Sequence, residues 1–141
     1  MVPPPLRYRA VMADFRKLEV WQKAHELVLA VHDAAHGIRG VEYTALRSQI
    51  IRTVMSIDAN IVEGRNQPTD RKFAQQLAVA VNSAYELEAH FIMARDFGVM
   101  SNSDYVTLRK RLVQVRKMLH GLIKKLKGGS NGDSSPKPSA D

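Results

Sequence analysis

The sequence predicts an all-α protein, an antiparallel up-down-up-down four-helix bundle, and three observations carry that expectation. Apolar residues recur at helical spacing in four successive blocks, with none of the period-two alternation of a half-buried strand. The connections between blocks are short, which makes consecutive helices antiparallel neighbours. The chain has 141 residues, the size of one ordinary domain.

Block one carries Leu18, Trp21, Ala24, Leu27, Val28, Val31, Ala35 and Ile38, and stops near Gly37 and Gly40. Block two carries Leu46, Ile50, Val54, Ile57 and Ile61; Gly64 ends it, four residues before Pro68. Thr69 or Asp70 caps block three, whose stripe is Phe73, Leu77, Ala80, Ala84, Leu87 and Phe91, ending at Gly98. Block four follows the polar cluster at 101–104 with Tyr105, Leu108, Leu112, Val115, Leu119, Leu122 and Leu126, alternating steps of three and four. The bundle is expected to occupy residues 14–127. Pro3, Pro4 and Pro5 exclude helix from the N-terminal segment, so residues 1–13 read as a flexible arm, most of which would be absent if translation began at Met12. From Gly128 the composition turns to Gly, Ser, Asn, Asp and Pro, so 128–141 reads as a disordered tail.

The faces of these helices carry more than a core. On a wheel of about 100° per residue, block two shows a second apolar stripe of Ile51, Met55 and Val62, set off from the first by Arg47, Asp58 and Arg65. Block three is apolar over nearly half its circumference, with Ala74, Ala78, Val81, Tyr85 and Ile92 flanking its main stripe. A monomeric bundle needs one buried face per helix, so the excess predicts a homo-oligomer with Ile51, Met55 and Val62 at the interface; scattered exposed apolar residues are the alternative. The third stripe of block two is polar, namely Gln49, Thr53, Ser56, Asn60 and Glu63, and block three offers Asn82, Ser83, Glu86 and His90 as counterparts. Ser56, Asn60, Glu63, Ser83 and Glu86 are expected to form a structural polar network; a solvated face and a ligand site are the competing readings.

Charge is uneven. The chain has 21 Lys and Arg against 14 Asp and Glu, a net charge of +7, and block four alone holds eight cations against one acid, Asp104. Arg109, Lys110, Arg116, Lys117, Lys124 and Lys127 share one sector with His120, a row able to follow a phosphate backbone. A solvated face with last-turn lysines is the plainer reading. Few aromatics accompany the charges within the block, which gives no indication of base stacking.

Enzymatic chemistry finds little support. The chain has no Cys, which excludes a disulfide framework, a thiolate metal site and a cysteine nucleophile. His25-Glu26 begins like a zinc-protease motif, but Leu29 replaces its second His. His32 and His36 stand four apart without the Glu-x-x-His carboxylates of a bundle di-metal site. No phosphate-binding glycine loop or Gly-x-Ser-x-Gly elbow occurs. The sequence thus predicts no enzyme, no cofactor and no metal. No apolar run approaches the roughly 20 residues of a membrane span, and no secretory signal is present, so a soluble cytoplasmic protein is expected.

Taken together, Phe15-Arg-Lys-Leu-Glu-Val-Trp-Gln22, Ser56-Ile-Asp-Ala-Asn-Ile-Val-Glu-Gly64, Phe73 and Ser83-Ala-Tyr-Glu-Leu87 resemble the bacterial four-helix bundle proteins encoded in intervening sequences of 23S ribosomal RNA genes. The resemblance runs from about Phe15 to Lys127. Asp58, Ala59 and Val62 fall at variable positions of the Ser-Ile-x-x-Asn-Ile-x-Glu-Gly pattern. It implies a cyclic homopentamer and distant kinship with accessory variability proteins of diversity-generating retroelements, which work with a reverse transcriptase and nucleic acid. The family name describes gene location and no enzymatic activity is established for it. Two functions are therefore expected to compete, a non-catalytic oligomer binding RNA or DNA through block four and an oligomeric scaffold recruiting a protein partner such as a reverse transcriptase, with a hydrolase or metal enzyme using Glu63, Glu86 and His90 as the minor third.

Overall fold

The computed structural model describes residues 15–129. Four helices account for most of them: α1 (Glu19–Ala35), α2 (Thr44–Arg65), α3 (Asp70–Asp96) and α4 (Asn102–Gly129). Short 3-10 turns at Phe15–Lys17 and Val41–Tyr43 precede α1 and α2, and no strand occurs among the described residues. The expected arm, residues 1–13, lies outside the described residues. So does the expected tail from residue 130, while α4 itself runs through Gly128 and Gly129, past the expected end at Lys127.

Each helix packs on two others. α1 lies against α2 and α4, α3 against α2 and α4, and the diagonal pairs do not meet, so the four axes form a square with the core along its centre. Cross-helix contacts fall in number on one helix as they rise on the next. Arg47 reaches Ile38 at one end of the α1/α2 seam and Asp58 reaches Trp21 at the other. Ser56 meets Ser83 and Glu63 meets Gln76, and across the α3/α4 seam Arg95 meets Tyr105 while Glu88 meets Arg116. That is the antiparallel order the short connections require.

The core repeats the apolar spacing. Leu27 and Val31 of α1, Ile50, Ile57 and Ile61 of α2, Leu77, Leu87 and Phe91 of α3, and Leu112 and Leu119 of α4 are all fully buried. Each such side chain contributes about 1.5–3 kcal/mol relative to an exposed position. Leu46, Leu122 and Leu126, expected in the core, are only half-buried where their helices reach the bundle ends. Of the flanking residues on α3, Ala74 and Val81 are buried, Ile92 is half-buried, and Ala78 and Tyr85 are exposed.

Two glycines and one threonine set the α2, α3 and α4 junctions. Thr69 caps α3 by accepting from the Lys72 backbone N–H at 3.2 Å. At its other end the Val99 N–H reaches the Ala94 carbonyl and the Gly98 N–H the Arg95 carbonyl, a Schellman ending in which Gly98 takes φ 79°. Gly64 is buried where α2 crosses α3 closely: a Cβ there would stand 2.9 Å from Phe73 Cδ1 and 3.1 Å from Gln76 Cβ.

Candidate nucleic-acid interface

The leucine stripe of α4 turns inward, so its cations are carried outward. Lys110, Lys117 and Lys124 are exposed and recur every seven residues, two helical turns or about 10 Å apart. Lys127, Arg111, Lys125 and His120 are exposed as well. A shallow groove along this face is lined by Val106, Arg109, Lys110, Val113, Gln114 and Lys117, with Val106 itself 55% exposed among the charges.

Two of the six row residues are engaged by α3. Glu88 accepts from Arg109 Nε at 3.0 Å through one carboxylate oxygen and from Arg116 Nη1 at 2.7 Å through the other. Arg109 remains about half exposed, whereas Arg116 keeps only 14% of its side-chain surface. Arg116, expected in an open row, is therefore drawn into the α3/α4 seam because Glu88 supplies a short charge-assisted partner there. The Arg116 hydrogen bond leads the causes that hold the Glu88 carboxyl below its ordinary 4.5, with Arg109 adding to it against the opposing effect of burial. The Arg116 guanidinium also lies 4.3 Å from the centroid of the Tyr85 ring. Tyr85 is 54% exposed, so an aromatic surface stands beside the basic row after all. It comes from the neighbouring helix, which is why the composition of α4 alone did not reveal it.

On the α2/α3 seam the polar stripe makes a directional chain. Gln76 Nε2 donates to Asn60 Oδ1 and to Glu63 Oε2, each at 2.9 Å. Asn60 Nδ2 donates to the Ser56 carbonyl at 2.7 Å and to Ser56 Oγ at 3.0 Å, and Ser56 Oγ lies 3.0 Å from Ser83 Oγ. Ser56, Asn60, Glu63 and Ser83 are thus brought together, and Gln76, overlooked in the sequence, joins them. Glu86 is not part of the chain: it is exposed and faces His90 at 3.7 Å, because its place on α3 points it away from Ser56. Buried Thr53 closes its hydroxyl on the Gln49 carbonyl at 2.6 Å within α2.

The second apolar stripe of α2 lies on the outer surface of the chain, Met55 being 55% exposed and Ile51 and Val62 half-buried. Beside it, Asp58 ties α2 to α1, accepting from Trp21 Nε1 at 2.9 Å and from His25 Nδ1 at 3.0 Å while the Trp21 and His25 rings stack at 4.8 Å. His36 Nδ1 donates to the His32 carbonyl at 2.8 Å. Among the described residues no three His, Cys, Asp or Glu side chains are grouped to hold a metal ion, and no helix is long and apolar enough to cross a membrane.

Residues 16–121 match the family model described as 23S rRNA-intervening sequence protein. No curated protein sequence matches the chain. Among solved structures, a protein of unknown function from the S23 ribosomal protein family of Bacteroides thetaiotaomicron is similar at a TM-score of 0.70 and 22% identity, over 74% of this chain and 98% of its own. At that identity the likeness bears on the fold alone, and the four-helix bundle is common to both.

Proposed function

The chain belongs to the 23S rRNA-intervening sequence protein family, and from that premise we propose that it is a non-catalytic, cytoplasmic homo-oligomer, a pentamer, that binds RNA or DNA through the outer face of α4. The observation that carries the reading is the placement of charge: α4 bears eight cations against one acid, a surplus equal to that of the whole chain. Lys110, Lys117 and Lys124 line its solvent face. Polyanionic phosphate is the chemistry such a row attracts, through release of condensed counterions, with little dependence on base sequence. Oligomerisation would multiply the field, since each subunit repeats the same row.

Fluorescence anisotropy with labelled RNA and DNA across a salt series tests the reading. Two or three phosphates neutralised per subunit give a fall in log affinity with log salt of about 0.7–0.9 per phosphate. Lys117→Glu with Lys124→Glu weakens binding while circular dichroism stays unchanged, both residues lying off the leucine stripe. Absence of binding at low salt, or equal binding by the reversed protein, leaves a protein-recruiting scaffold as the better account.

A further inference from the structure

We infer that Tyr85 is a stacking platform for an unpaired base, which makes single-stranded nucleic acid the preferred ligand of the α4 face. The inference rests on the nucleic-acid reading above and adds to it a strand preference that charge alone does not give. Two features of the α3/α4 seam support it. Tyr85 is more than half exposed although it stands beside a guanidinium that covers its ring at 4.3 Å. That guanidinium is fixed, since Arg116 is held at 2.7 Å by Glu88, one turn along α3 from Tyr85, and Glu88 is held in turn by Arg109. The ring is therefore oriented before any ligand arrives, and a base laid on it gives up less freedom than one stacking on a mobile side chain.

The surroundings suit a base. Among its neighbours on α3, Asn82 and Ala89 are exposed and neither is bulky enough to screen the ring, the Glu88 carboxylate is taken up by Arg109 and Arg116, and Glu86, next to Tyr85, is the one acid left exposed beside it. Asn82 offers an amide donor and acceptor to a base edge. On α4, Lys117 follows Arg116 directly and Lys110 lies two turns before Lys117, both exposed, so the same helix that holds the ring also carries cations able to meet the phosphates of a bound strand. A duplex presents the same phosphates but keeps its bases inside the stack, so it gains from the lysines and not from Tyr85. Base stacking tolerates any sequence because every base has a π face.

Anisotropy with a labelled 20-nucleotide oligouridine, and with the same strand annealed to oligoadenosine, tests this on the full chain. At one salt concentration the wild-type protein is expected to bind the single strand more tightly than the duplex. Tyr85→Leu should weaken single-strand binding by roughly 5- to 150-fold, the range for one lost stack, and leave duplex binding and the single-strand salt slope unchanged. Tyr85→Trp should restore the preference. Equal single-strand binding by wild type and Tyr85→Leu overturns the platform while leaving the electrostatic reading standing. If neither ligand binds at low salt, that reading fails as well. A change in oligomer mass on Tyr85→Leu, read by light scattering, would also overturn the platform by placing Tyr85 in a subunit contact.

Discussion

Asn60 is the residue on which the α2/α3 seam turns, because its amide both accepts from Gln76 and donates to Ser56. Asn60→Ala leaves Ser56 and Gln76 without those partners in a half-buried position, and is expected to lower stability by about 1–3 kcal/mol, read as a shift in a urea midpoint. Gln76→Ala is expected to act in the same direction with less effect, since Glu63 is solvent-exposed and finds water instead. Gly64→Ala tests a different force. Its new methyl would meet Phe73 at 2.9 Å, and separating α2 from α3 there costs about 1–3 kcal/mol. Glu88 gives the pH response. Its carboxyl is held below 4.5 by Arg116 first and Arg109 second, so its folded value lies under its unfolded one. The stabilisation is therefore complete above about pH 4.5 and is lost as pH falls through the folded value. In thermal melts Glu88→Gln should be less stable than wild type at neutral pH and should converge with it in acid.

At the scale of the element, each helix carries a job that its own sequence declares and another that only its neighbour reveals. The apolar spacing of Leu108, Leu112, Val115 and Leu119 fixes which side of α4 faces the core, so the outward course of Lys110, Lys117 and Lys124 was legible before any coordinates. The spacing of Ser56, Asn60 and Glu63 likewise marked a stripe distinct from a charged solvent face. What the spacing does not contain is the rotational and axial setting of one helix against the next. Gln76 was missed because glutamine on a helix surface is ordinary, and it becomes a linker only when α3 places it opposite both Asn60 and Glu63. Glu88 was missed for the same reason, Tyr85 was read only as part of the apolar flank of α3 and not as a neighbour of Arg116, and Glu86 was wrongly included because it shares a stripe with Ser83 while facing solvent. The ending of α3 can be tested within the element. Gly98 sits at φ 79°, where a side chain costs about 1–2 kcal/mol, so Gly98→Ala should lower the thermal midpoint with no change in nucleic-acid binding.

The whole molecule is set by how its four helices connect. If subunits meet through the outer stripe of α2, Ile51→Glu with Met55→Glu places unpaired charge in the contact and should reduce the mass measured by light scattering while helix content is kept. A monomeric wild-type protein at micromolar concentration would remove the idea. The square arrangement of the helices bears on how the chain reaches this state. Three seams join helices consecutive in sequence, and α2 with α3 forms the most extensive of them. Only the fourth, where Lys23 and Glu26 of α1 lie beside Arg111 and Val115 of α4, brings distant parts of the chain together. Closing that seam costs the entropy of a loop spanning almost the whole domain, whereas the α2/α3 hairpin closes across a turn of four residues. Folding is therefore expected to begin at the α2/α3 hairpin and finish with the docking of α1 on α4. The reverse order should hold for opening, so that in native-state hydrogen exchange the amides of α1 are released before those of central α2 and α3.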